Sequence, residues 1–102
     1  MNQDTILVVD DNKDNLDLML VTLSDKDYRL LASTSGEKAL EIVEKIKPDL
    51  ILMDIQMPGM DGFTTTKRIK EKEDLKHIPV LFLSALNDMD SIIKCFDSGG
   101  VD

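Results

Sequence analysis

Short apolar runs alternate along the chain with segments in which apolar residues recur every three or four positions. Thr5–Ile6–Leu7–Val8–Val9 is apolar or β-branched throughout and ends in Asp10–Asp11. A run apolar on both faces suits a strand buried inside a parallel sheet. Leu16, Met19, Leu20 and Leu23 then fall at i, i+3, i+4 and i+7, the stripe of an amphipathic helix. Tyr28 to Ala32 predicts a second strand. Thr34 and Glu37 have the spacing of a capping box. Behind them Ala39, Ile42, Val43 and Ile46 form another helical stripe, with Lys45 and Lys47 in the last turn and Pro48 as a stop. Leu50–Ile51–Leu52–Met53 predicts a third strand that ends at Asp54. The Pro and Gly content of residues 57–62 predicts a loop. A helix is expected over residues 63–71, its apolar stripe interrupted by three consecutive threonines. Pro79 to Leu83 predicts a fourth strand ending at Ser84. Met89, Ile92, Ile93 and Phe96 mark a last helix, with Asn87 as N-cap and Gly99 as stop.

Strands alternating with helices at this spacing imply βαβ units and a parallel sheet. Right-handed crossovers then put helices on both faces, which makes the fold class α/β, a doubly wound parallel sheet. A length of 102 residues is that of one domain with one core, so the whole chain, 1–102, is read as a single unit. In such sheets ligands bind outside the carboxyl ends of the strands. Asp10 and Asp11, Asp54, and Ser84 all stand at those ends.

Composition narrows the partners. Twenty acidic against 12 basic residues give a net charge of -8, unsuited to direct binding of nucleic acid and suited to a cation or a basic partner. The cluster Lys67, Arg68, Lys70 and Lys72 is balanced by Glu71, Glu73 and Asp74 and reads as a solvated face. The single Cys95 excludes an intramolecular disulfide and fits a reducing cytoplasm. No leader-like segment and no apolar run of membrane-spanning length is present. His77 stands alone in a polar connection and reads as a surface residue, and the methionines read as core.

Three carboxylates at one sheet edge repel one another, and a divalent cation relieves the repulsion. With oxygen ligands alone on offer, Mg²⁺ is the natural choice over Zn²⁺. Mg²⁺ commonly binds through one or two carboxylates plus a phosphoryl oxygen, which points to phosphoryl transfer with a carboxylate nucleophile. Asp54, on the middle strand, is the best nucleophile, and Ser84 the best hydroxyl donor. Taken singly each residue has a plainer explanation. The acid pair serves as readily as a helix cap with its first-turn acid, Asp54 as a turn residue, and Ser84 as a cap. It is their convergence at successive strand ends that argues for chemistry.

The stretches Val8–Val9–Asp10–Asp11–Asn12, residues 48–62 with Met53–Asp54–Ile55–Gln56–Met57–Pro58–Gly59–Met60–Asp61–Gly62 at their centre, and Pro79–Val80–Leu81–Phe82–Leu83–Ser84–Ala85 resemble the receiver (response-regulator) family of two-component signalling. The middle motif is long and specific, and the resemblance runs from the first strand to the end of the chain. It implies a flavodoxin-like fold with strand order 2-1-3-4-5. It implies Asp54 as phosphoacceptor, Asp11 as the direct Mg²⁺ ligand, Asp10 as an acid acting mainly through water, and the Gln56 backbone carbonyl as completing the metal site. Ser84 matches the switch hydroxyl, and Ala85 the small residue that leaves the donor room. Pro58, Gly59 and Gly62 match the family's loop, for which a structural role suffices.

The resemblance further implies a partner, a sensor histidine kinase or a histidine phosphotransfer protein, and a downstream output domain that reads the phosphorylated state. The chain is then a phosphoacceptor switch with self-catalysed phosphorylation and slow autodephosphorylation, not a turnover enzyme. The family's fifth strand, with its lysine, and fifth helix find no match before residue 102. The chain is therefore read as C-terminally incomplete, with self-association expected through an exposed fourth-strand edge. Two other readings stand beside this one. A phosphatase using an aspartyl phosphate would want a second acid two residues after the nucleophile, where this chain has Gln56. A phosphorylation-independent interaction module would not need all three acids, although the missing lysine favours it.

Overall fold

The computed structural model describes residues 4–24 and 26–83. Within them run β1 (Asp4–Val9), α1 (Lys13–Leu23), β2 (Tyr28–Ser33), α2 (Gly36–Lys45), β3 (Leu50–Asp54), α3 (Gly62–Lys70) and β4 (Val80–Leu83). The expected last helix with Asn87 and Gly99, and the residues bearing on the outer edge of β4, lie outside the described residues. The four strands form one sheet in the order β2-β1-β3-β4, all pairs parallel. This is the doubly wound arrangement expected from the alternation of elements.

Alternate residues of the central strands feed two cores, one on each face. Leu7 and Val9 of β1, Ile51 and Met53 of β3 and Val80 of β4 pack with Ala39 and Val43 of α2 and Ile69 of α3. Ile6, Val8 and Leu52 turn the other way and meet Leu16 of α1, with Met19, Leu20 and Leu23 against them. The continuous apolar runs of β1 and β3 are thus explained by burial on both sides. The entry to β3 is pinned to the start of β1. Thr5 donates its N–H to Asp49 Oδ2 at 2.7 Å, and Asp49 donates its N–H to Thr5 O at 2.8 Å.

Several local expectations are corrected. The N-cap of α2 is Ser35, whose hydroxyl accepts the Lys38 N–H at 3.2 Å, and not Thr34. Lys47 lies beyond the helix end and pairs with Asp74 at 3.0 Å. Of the three threonines that interrupt the stripe of the third helix, Thr64 is exposed but Thr65 and Thr66 are fully buried, as is Ile69. Thr65 satisfies its hydroxyl by donating to Asp61 O at 2.8 Å. Lys70 is not a solvated charge. Its ammonium donates to the carbonyls of Lys76 and Ile78 and ties down the connection into β4, and burial lowers its pKa.

Candidate functional site

β1 and β3 are neighbours with Val9 opposite Met53. The register therefore sets Asp10 and Asp54 side by side at the carboxyl ends of the two strands, with Asp11 one residue beyond. Asp10, Asp11 and Asp54 each place a carboxylate oxygen within 4.8 Å of the others. The three environments differ. Asp10 is 5% exposed, and its Oδ1 accepts the Asn12 N–H at 2.9 Å. Asp11 is exposed, and Asp54 is half-buried. The cap of α1 is Asn12, whose side chain accepts the Asn15 N–H at 3.0 Å. Capping is thus done by the residue after the acid pair, and the capping explanation for Asp10 and Asp11 falls away.

The geometry has an electrostatic consequence. Burial pushes the Asp54 carboxyl up from its ordinary 3.8 to about 7, helped by the charge of Asp10 and by the hydrogen bond and charge of Asp11. Near neutral pH the cluster holds a proton that an isolated Asp would have lost. A small hard dication fits it: three oxygen donors converge, with neither sulfur nor imidazole in the cluster. Gln56 is exposed, two residues beyond Asp54. Ser84 and Ala85 follow Leu83, the register partner of Asp54, in sequence and lie outside the described residues. A cavity of about 320 Å³ lined by Leu40, Glu41, Glu44, Arg68, Glu71 and Lys72 shares no residue with the acids.

The sequence profile of the response regulator receiver domain matches residues 6–102. This chain belongs to the receiver domain family. It is 38% identical over 97 residues to the response regulator PleD of Caulobacter vibrioides, an alignment covering 95% of this chain and 21% of PleD. The chain thus spans about a fifth of the length of that relative. The N-terminal domain of a response regulator receiver protein from Methanoculleus marisnigri JR1 superposes with a TM-score of 0.87 at 39% identity, over 96% of this chain and 80% of that one. The phosphorylated cyanobacterial phytochrome response regulator RcpA superposes with a TM-score of 0.90 at 28% identity, over 97% and 77%. As a receiver domain the chain is a module of two-component signalling. Among the described residues no helix is long and apolar enough to cross a membrane.

Two structural roles escaped the sequence pattern. Asn12 caps α1, and an Asn one residue before a helix is an ordinary cap signal. Gly62, a loop glycine by the motif, opens α3 and lies directly against the end of β3.

Proposed function

We propose that this receiver accepts a phosphoryl group on Asp54 from a phosphohistidine of a sensor histidine kinase or a histidine phosphotransfer protein, with Mg²⁺ held by Asp10, Asp11, Asp54 and the Gln56 backbone carbonyl. The observation that carries the reading is the convergence of three carboxylates within 4.8 Å at the carboxyl ends of β1 and β3. The solved form of RcpA, a relative of the same fold, is phosphorylated.

In the transfer an ionised Asp54 oxygen attacks phosphorus. The bond from phosphorus to the donor imidazole nitrogen breaks as the new P–O bond forms, and the imidazole keeps the electron pair and is protonated. Asp54 must be ionised to attack, which its neighbours oppose. A dication bound by these acids would supply positive charge that offsets part of the charge of the carboxylates and the phosphoryl oxygens. Asp10, fixed by the Asn12 N–H, is an oriented acid that acts through water, and the more accessible Asp11 is the direct ligand. Ser84 is assigned the hydroxyl that follows the phosphoryl oxygens inward, and Ala85 the small neighbour that admits the donor. The resulting surface change is read by an output domain or partner protein in the cytoplasm, where such donors reside.

Intact-mass measurement after incubation with acetyl phosphate and Mg²⁺ tests the assignment. One phosphoryl group is expected on the native chain and none on Asp54→Asn; full labelling of the Asn variant refutes it. Titration of Mg²⁺ followed by NMR shifts tests the metal. Asp11→Ala is expected to abolish binding, and unchanged binding removes Asp11 from the site.

A further inference from the structure

The third helix begins against the acceptor. Its first residue, Gly62, donates its N–H to Ile55 O at 2.9 Å and closes the 55–62 loop onto the end of β3. A Cβ on Gly62 would lie 2.1 Å from Asp54 O, 2.9 Å from Ile55 Cα and 3.0 Å from the Asp54 carbonyl carbon. All three are main-chain atoms, so no side-chain rotation relieves the contact. Among the described residues the glycine with a positive φ is Gly59, at 75°. The demand for glycine at 62 is therefore one of space, and the space is taken by the acceptor's own peptide. The turn is held in place from behind. Asp61 Oδ1 accepts the Thr64 N–H at 2.8 Å, and Asp61 O accepts the Thr65 N–H at 3.0 Å and the Thr65 hydroxyl at 2.8 Å.

We propose that Gly62 is a positioning residue for phosphoryl acceptance: the bare first turn of α3 is the seat of the Asp54 peptide and sets where its carboxylate meets Asp10 and Asp11. This rests on the reading of Asp54 as the acceptor. The strand ladder fixes Asp54 in the plane of the sheet, through its pairing with Leu83. The contact with α3 fixes it in the remaining direction. Restoring ordinary contact distance to a Cβ that starts 2.1 Å from Asp54 O requires a displacement of more than about 1 Å, beyond the ~0.5 Å tolerance of a functional constellation. A misplacement of that size costs on the order of 100-fold in rate.

Gly36 supplies a comparison. A Cβ there would lie 2.2 Å from Thr65 Oγ1, a side-chain atom, and 3.1 Å from Met60 O, against α3 and its loop and not against the acceptor. The experiment measures the Mg²⁺ dissociation constant by NMR titration and the rate of acyl phosphate formation from acetyl phosphate at saturating Mg²⁺. It compares the native chain with Gly62→Ala, Gly36→Ala and Thr65→Val, each corrected for its folded fraction from urea melts. Gly62→Ala is expected to weaken Mg²⁺ binding several-fold and to slow phosphorylation about 100-fold. Gly36→Ala is expected to lose stability and, because the atom it displaces is the Thr65 hydroxyl, to change the site no more than Thr65→Val does. Thr65→Val frees Asp61 O from the hydroxyl, and is expected to shift Mg²⁺ affinity in the same direction as Gly62→Ala, by less. Equal losses in the two glycine variants overturn the proposal, as does unchanged Mg²⁺ affinity in Thr65→Val where Gly62→Ala does not fold; either result leaves Asp54 as acceptor. A native chain that neither binds Mg²⁺ nor gains a phosphoryl group overturns the acceptor reading and this proposal with it.

Discussion

Neutralising Asp54 should stabilise the metal-free protein, and the gain should grow with pH. In the folded chain the Asp54 carboxyl is pushed up from 3.8 to about 7. Unfolded, it ionises near its ordinary value. Between those two values the folded state holds a proton that the unfolded state has released, so stability falls as pH rises through this window. Below about 3.8 the group contributes nothing, and above about 7 the full cost of the ionised cluster is present. At about 1.36 kcal/mol per tenfold change, the whole interval amounts to at most about 4 kcal/mol. Asp54 is half-buried, so solvent screens part of this, and about 1–2 kcal/mol is the reasonable size. Asp54→Asn removes the charge at nearly constant shape. Urea melts without divalent cation, read as midpoints at constant slope, should show Asp54→Asn more stable than the native chain at about pH 8, with most of the difference gone at about pH 5. Excess Mg²⁺ should shrink the difference at the higher pH by stabilising the native chain, with all three acids, more than the variant. A variant less stable than the native chain at about pH 8, or a difference that is the same at both pH values, would refute the electrostatic account of the cluster.

Two further outcomes concern groups outside the acids. The Thr66 hydroxyl is fully buried with no hydrogen-bond partner among the described residues, so Thr66→Val, of nearly the same shape, should raise stability by about 1 kcal/mol in urea melts; a loss of stability would mean that the hydroxyl is satisfied in solution. Lys70→Met should cost about 1 kcal/mol, because the carbonyls of Lys76 and Ile78 lose their cationic donor, and an unchanged midpoint would return Lys70 to the solvated face.

Most of the architecture is legible in the chain because buried parallel strands and amphipathic helices leave strong patterns. The runs at residues 5–9 and 50–53 are apolar on both faces, and both become central strands with a core on each side. The acids could be assigned to one edge because strand ends are where apolar runs stop. The errors have a common physical source. Thr34 and Ser35 are adjacent residues of equal capping ability, and only the backbone decides which hydroxyl meets the first free N–H. The threonines of α3 look polar, yet Thr65 returns its hydroxyl to the preceding turn and so can be buried. Lys70 looks like its charged neighbours until the connection folds back over its ammonium. These are tertiary facts with no periodicity to announce them. The steric role of Gly62 is of the same kind: the motif shows a glycine, and only the packed structure shows that the neighbouring atoms belong to Asp54.

The rigidity of the central strands makes the acid cluster responsive. Carboxylates that repel one another would normally separate, and on a mobile loop a small rotation would suffice. Here Ile51 and Met53 are locked into one core and Leu52 into the other, so β3 cannot turn its end away without opening a packed face. β1 is held in the same way through Leu7, Val9, Ile6 and Val8. Asp10 is further fixed by the Asn12 N–H, and the Asp54 peptide is backed by Gly62. The repulsion therefore persists in the metal-free fold and is relieved chemically, by a proton on Asp54 or by a dication among the three acids. Either relief changes the charge at the carboxyl edge of β1 and β3 without moving the strands. The same packing that makes the cluster costly to the empty fold is what keeps its oxygens together, as the proposed cation and phosphoryl chemistry requires.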